Sequence, residues 1–447
     1  MEVEAKNAKP RAVPNAAGAD ERYFKLFRDY EQKATILAEV ERTFLEGIEL
    51  FAGRECRQAC ERAGLSRMHL HYPDSHVGLL EGFVNERLKR RMIEWSAAVG
   101  RSTLGFSQDF LVEDLLVVRI HYPHGQPGRT ASPTPPPSLR HRVRYGFSST
   151  LERLREAYDS RSAVRRPQQV LEYLRKRQKK ALEPLAYRCH APHKDSWLGQ
   201  PIGSLSVWLA ISGVGHANSM CMYPETFGVE LPIGPARYLG SGYCLPKPTR
   251  PEIHDGELFV FSTDILHGSQ VNVSGMTRVA LTTRVDPGTP VFDPSTLWFV
   301  QRWYSANDVL AGRFRHTIIR GAEHCVARAP GSEGTGKSRS ISIARAFRPG
   351  EQVRVADSSM ILDGQKLAVV FQNERVVILR SDGQLRAFSG RCPHGGYHME
   401  DGHHDDRVLT CPGHGLEFDV QTGESGLGCY RLKRFDVREE AGAIFLG

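Results

Sequence analysis

Two short stretches near the end of the chain hold residue types that metal chemistry requires. Cys392-Pro-His394 and Cys411-Pro-Gly-His414 each offer one thiolate and one imidazole, and sixteen residues separate them. Brought together, two such loops give one iron two cysteines and a second iron two histidines, the ligation of a mixed Cys/His 2Fe–2S cluster. Neutral imidazoles in place of two thiolates lower the negative charge and raise the potential. Glycines at 395, 396, 413 and 415 let both loops turn tightly around an inorganic core. Tetrahedral zinc is the competing reading of Cys/His pairs. The Cys-x-His spacing, the proline after each cysteine and the flanking β-type runs favour iron–sulfur.

A second set lies upstream. In CHAPHKDSWLGQP, His193 and Asp195 are two residues apart, so an extended chain projects both from one face. GELFVFSTDILHGSQVN supplies His267 directly after an apolar run. Two histidines and a carboxylate on one side of an iron leave positions open for O2 and a co-substrate. Arg278, eleven residues after His267, opens the next β-type run, where a guanidinium can grip a carboxylate in a bidentate fork. Arg284, on the same strand face, competes for that role. A lone His-x-Asp pair arises by chance in many proteins; the argument rests on the four residues together. His190 and His216 lack a partner two residues away, and Arg119, His121, Tyr122 and Trp197 fit pocket lining or ordinary packing.

These residues need scaffolds of two kinds. From Asp20 to about Gly64 the apolar residues Phe24, Phe27, Ile36, Val40, Phe44, Ile48 and Phe51 recur at helical spacing, and a second helical stretch covers about 80–99. LVEDLLVVRIHY (111–122) reads as a strand, and GQPGRTASPTPPPSLRHR (125–142) as a mobile loop. SLSVWLAIS (204–212), ELFVFS (257–262) and RVALTTRV (278–285) are β-type runs between Gly/Pro/Asn-rich turns, the pattern of a barrel or jelly roll. RAPGSEGTGKSRS has linker composition, and from about Gly350 a compact all-β pattern begins. The expected domains are a disordered tail (1–19), an oxygenase domain with N-terminal helices (20–325), a linker (326–349) and a small cluster-binding domain (350–447).

The segment 350–447 resembles the Rieske ferredoxin family throughout, in CPHGGYHMEDG, CPGHGLEFDVQTG and the closing LKRFDV. High-potential Rieske proteins carry an extra cysteine in each loop. Tyr397 and Gly413 occupy that neighbourhood here, which puts the cluster near the low end of the Rieske range, around −150 mV. His398, His403 and His404 between the pairs read as surface residues. Residues 110–290 are similar to the phytanoyl-CoA dioxygenase-like branch of Fe(II)/2-oxoglutarate oxygenases. That resemblance implies a double-stranded β-helix fold, Fe(II) bound by His193, Asp195 and His267, and Arg278 holding the far carboxylate of 2-oxoglutarate. The retained Asp195 argues against the related halogenases, in which a small residue replaces the carboxylate.

Charge is uneven. Residues 351–447 hold 11 Lys+Arg and 15 Asp+Glu, giving −4; the rest holds 48 and 36, giving +12. Opposite signs favour docking of the two halves, and a basic catalytic half suits a polar or anionic small substrate. The basic stretch 161–185 has helical spacing and reads as a solvated helix face rather than a nucleic-acid site. No apolar run is long enough to span a membrane, and nine scattered cysteines suit a reducing cytoplasm. The expected activity is 2-oxoglutarate-dependent C–H oxidation with O2, the cluster keeping the mononuclear iron reduced. Two alternatives stay open: an oxygenase fed by a ferredoxin or NAD(P)H reductase without 2-oxoglutarate, and a non-catalytic electron carrier. An oligomer is compatible with the sequence.

Overall fold

The computed structural model describes residues 23–124, 185–234, 237–293, 300–320, 324, 332–333, 336–348, 350–426, 428 and 430–447. The tail 1–19, the Pro-rich segment 125–142 and nearly all of the basic stretch 161–185 lie outside the described residues.

The first half packs two helices on one face of a large sheet. Helix α1 (Lys33–Ala63) buries Ile36, Val40, Phe44, Ile48 and Phe51, one face of a 3.6-residue repeat. Gly53, at φ 85°, kinks α1 and does not end it. Helix α2 (Val77–Ser102) lies against α1 and buries Leu80, Phe83, Val84, Leu88 and Met92 in the same core. The expectation of helix from Asp20 fails at its start. Phe24–Phe27 is strand β1, paired antiparallel with Leu258–Ser262. The Phe24/Phe27 spacing fits either element. Pairing decides it, with the Phe24 ring 5.6 Å from that of Phe259.

The run 111–122 resolves into β2 (Leu111–Glu113) and β3 (Val117–His121). They join β4 (Leu205–Ser212), β7 (Leu258–Ser262), β9 (Arg278–Asp286), β10 (Val300–Ser305) and β11 (His316–Arg320) in the order β1-β7-β4-β9-β2-β10-β11, with β3 also on β9. Helix α3 (Ala306–Leu310), capped by the Ser305 hydroxyl, follows β10. Period-two alternation gives β9 two roles. Val279, Leu281 and Val285 enter the helix-covered core, while Ala280 packs in a separate cluster with Trp208, Met222 and Phe261. Arg278, Thr282 and Arg284 share that second face. Opposite lies the pair β5 (Met220–Met222) and β8 (His267–Ser269), with Met222 facing His267 in register. Short strands β6 (Val229–Glu230) and β12 (Ser332–Glu333) pair in parallel.

The second half is all-β. One sheet runs β13 (Ser340–Ser342), β15 (Lys366–Val370), β16 (Arg375–Ser381), β17 (Gln384–Ser389), β20 (Arg434–Phe435). A second joins β14 (Val353–Asp357), β22 (Ala443–Leu446) and β21 (Val437–Glu440), and β18 (Val408–Thr410) pairs with β19 (Glu417–Asp419). Strand β13 lies within the segment read as linker and pairs parallel with β15, so regular structure starts before Gly350. One core, including Val369, Val376, Ile378 and Ile444, lies between these sheets. Another, with Leu409, Phe418, Phe388 and Leu432, supports Cys392 and Cys411.

Candidate metal centres

The upstream centre is built by hydrogen bonding before any metal is considered. His193 and His267 form an isolated antiparallel bridge, each backbone N–H donating to the other's carbonyl at 2.8 and 3.0 Å. His193 Nδ1 lies 2.8 Å from the Ala191 carbonyl, and His267 Nδ1 lies 3.0 Å from that of Ile265. A carbonyl only accepts, so both rings carry the proton on Nδ1 and turn an Nε2 lone pair inward. Those Nε2 atoms stand 3.6 and 3.9 Å from Asp195 Oδ1. All three ligand atoms lie within 4.8 Å of one another, and all three residues are buried.

Asp195 begins a single 3-10 turn, Asp195–Leu198, ended by Gly199 in the left-handed region. Its second oxygen is already engaged, accepting from Ser206 Oγ at 2.9 Å and Arg284 Nη2 at 3.1 Å. Burial alone would raise this carboxyl's pKa; Arg284, with both histidines, overcomes that and holds it well below the usual range. Burial, with His193 beside it, lowers His267 to about 4 and keeps it neutral, the form that binds metal. The donor set of two imidazoles and one carboxylate oxygen, pre-oriented and dry, fits a divalent iron.

The two arginine candidates differ in their partners. Arg284 bridges Asp195 and Glu113 (3.1 and 3.4 Å), so its charge is balanced by the protein. Arg278 is equally buried, yet among the described residues it has no carboxylate partner. Its Nη1 donates to the carbonyls of Asn218 and Ser219 at 2.6 and 3.0 Å, and its Nη2 to His121 Nδ1 at 2.5 Å. Its Nε is buried without a hydrogen-bond partner. Burial lowers Arg278 to about 10, still charged at neutral pH. Burial, reinforced by Arg278, keeps His121 neutral.

Among the other candidates, His190 takes a hydrogen bond with Tyr238 (3.2 Å), whose ring lies 5.6 Å from that of His193, so both border the site. His216 offers its backbone carbonyl to Gln270. Tyr122 and Trp197 are packing residues, buried in two apolar clusters. Arg119 is half-buried on β3. Sequence reasoning missed Ser206 and Glu113, which stand at no motif spacing from the candidate ligands.

In the downstream centre the four residues converge. Cys392 and Cys411 are in side-chain contact; that bond pulls Cys392 down, while burial drives Cys411 far up. His394 Nδ1 and His414 Nδ1 stand 3.2 Å apart. Two sulfurs on one side and two imidazole nitrogens on the other fit the two irons of a mixed-ligand cluster. Gly413 must be glycine: a Cβ there would overlap the Tyr397 ring, which stacks edge-on against His414 at 5.3 Å. The expectation that His398, His403 and His404 are surface residues is corrected. All three are half-buried, and burial lowers the pKa of each; Lys247 and Glu225 of the first half lie near His403, while the charged groups acting on His398 and His404 belong to the second half itself.

The loop geometry and the all-β frame define a Rieske domain. Residues 351–428 match the Rieske 2Fe-2S domain family, and the chain belongs to that family through them. The naphthalene 1,2-dioxygenase system ferredoxin component of Pseudomonas putida is 33% identical over 75 residues, covering 17% of this chain and 69% of that protein. The alkene monooxygenase system ferredoxin component of Xanthobacter autotrophicus is 28% identical over 100 residues, 22% of this chain and 81% of that one. A cholesterol 7-desaturase of Ciona intestinalis is 30% identical over 105 residues, 23% of each chain. Among solved structures, the ferredoxin of carbazole 1,9a-dioxygenase from Nocardioides aromaticivorans is 25% identical, covering 22% of this chain and 98% of that one with a TM-score of 0.21.

Proposed function

We propose that the chain is an Fe(II)/2-oxoglutarate-dependent oxygenase of jelly-roll type, residues 20–325, carrying its own electron donor in the Rieske domain. The observation that carries the reading is the triad of His193, Asp195 and His267, with both Nδ1 protons and one carboxylate oxygen already committed to the protein. Fe(II) and 2-oxoglutarate, when bound, supply O2 activation coupled to loss of CO2 and oxidation of a substrate C–H bond. The chain's part is positioning. His193 Nε2, His267 Nε2 and Asp195 Oδ1 hold the metal; Ser206 and Arg284 fix the carboxylate's orientation. Arg278, a buried cation with no carboxylate partner among the described residues, would receive the far carboxylate of the keto acid. The basic first half suits a polar or anionic small-molecule substrate.

The similar ferredoxins are named as components of oxygenase systems, which supports electron supply to an iron that oxidises substrates. A ferredoxin or NAD(P)H reductase would recharge the cluster. The packing of the His414 loop against the segment following His267 favours a second reading, in which those electrons enter every turnover and 2-oxoglutarate is not used.

Anaerobic spectroscopy separates the two. The first expects about three irons per chain, a weak visible Fe(II)–keto acid band on adding 2-oxoglutarate, and loss of that band in Arg278→Leu with iron retained. Product formation that consumes NAD(P)H and yields no succinate would replace it with the second.

A further inference from the structure

We propose that the Rieske cluster passes its electron to the mononuclear iron within one chain, along the backbone from His414 through Val271 to His267. The inference rests on both ligand sets binding iron, and does not require 2-oxoglutarate.

The route is short and nearly all covalent. The Val271 N–H donates to the carbonyl of His414, a cluster ligand, at 3.3 Å. Val271 lies four residues beyond His267, a mononuclear-iron ligand, and four residues span at most about 14 Å fully extended. Electron tunnelling weakens exponentially across space and is carried best by bonded and hydrogen-bonded atoms. One hydrogen bond is the only through-space step between the two ligand residues.

The segment is held on both sides. His267 exchanges two backbone hydrogen bonds with His193, the Ser269 N–H donates to His190 at 2.9 Å, and the Gln270 N–H donates to Ser219 at 3.3 Å. The cluster loop is tied to the first half by Arg250, which donates to the Gly415 carbonyl at 2.8 Å and pairs with Glu417 at 2.5 Å. Gly415, at φ +64°, allows this approach: a Cβ would fall 2.5 Å from Cys221 Sγ, and Cys221 is the register partner of Gly268. The second cluster histidine is covered as well. The His394 ring stands 5.2 Å from that of His124, whose backbone N–H donates to Asn272, the residue after Val271.

The electron balance is simple. A reduced cluster loses one electron, an Fe(III) mononuclear site gains it to become Fe(II), and an external one-electron donor of flavoprotein or ferredoxin type restores the cluster.

The test uses the full chain with both sites loaded. The mononuclear iron is left as Fe(III), the cluster is photoreduced by a flash with deazaflavin, and its reoxidation is followed by absorbance and EPR. Reoxidation is expected to be first-order, with a rate constant unchanged across a dilution series, and absent in His267→Ala chains that retain the cluster. Arg250→Met, which touches no metal ligand, is expected to keep both EPR signals and lose the concentration-independent phase. A rate that rises with protein concentration, or a fast phase unchanged in Arg250→Met, overturns the route. Iron analysis separates this from failure of the underlying reading: two irons per chain instead of three removes the acceptor itself, whereas three irons with concentration-dependent reoxidation condemns the intrachain path alone.

Discussion

At the scale of residues, the centre that most depends on its surroundings is Asp195. One oxygen is turned to the histidines and the other is shared by Ser206 and Arg284, while Arg284 also reaches Glu113. A planar fork reaches two carboxylates in one fixed geometry; an ammonium is a point charge on a flexible stem. Arg284→Lys therefore keeps the charge and loses the geometry. Iron affinity is expected to fall about 10–100-fold, read by competition with a chelator, with Arg278→Lys unchanged in the same assay because Arg278 touches no ligand. Equal losses in both variants would assign the effect to general loosening. The residues that meet at the two candidate centres were legible in the sequence, since thiolates, imidazoles and carboxylates at motif spacing advertise their chemistry. Ser206 and Glu113 were not, because ordinary hydroxyl and acidic residues acquire their roles only through the register of β4 on β9 and the approach of β2. The choice between Arg278 and Arg284 was likewise open until their partners were known.

Elements were legible where one periodicity ran long enough. The end of α1 and the apolar runs of β4, β7 and β9 were each identified within a residue or two, whereas the start of α1 was placed at Asp20 instead of Lys33. β1 was misread, because four residues with two phenylalanines three apart carry no decisive period, and the pairing with β7 that settles it lies over 200 residues away. The α2–β2 junction shows how tightly the elements then fit. Gly100, in the last turn of α2, faces the buried ring of Phe110, and a Cβ there would overlap the ring edge. Replacing a helical glycine by alanine alone favours the helix by about 0.5–1 kcal/mol. Overpacking against a ring that has nowhere to go costs about 1–3 kcal/mol. The second effect wins. Gly100→Ala is expected to lower the denaturant midpoint with an unchanged m-value, and a rise in midpoint would show that Phe110 can move.

At the scale of the whole molecule, the opposite net charges of the two halves anticipated docking but not its form. The interface is mostly directed hydrogen bonding. Asp401 accepts from the Gly242 N–H at 3.2 and 3.1 Å and from Ser338 Oγ at 2.5 Å, and its carbonyl accepts from the Leu245 N–H at 2.8 Å. The Cys244 thiol reaches the Gly402 carbonyl, and Lys366 reaches Cys244. Among the described residues two ion pairs cross the halves, the part-buried Arg250–Glu417 and the exposed Lys247–Asp405, and exposed pairs contribute little. Salt alone should therefore leave the halves together, whereas removing a buried acceptor should not. Asp401→Ala leaves a backbone N–H and a hydroxyl without their carboxylate, a cost of about 1–3 kcal/mol. Hydrogen exchange is expected to quicken at 240–245 and 399–402 together, while the 375–389 strands keep their protection. If only the 399–402 turn responded, Asp401 would be stabilising its own loop and the halves would be held by other contacts.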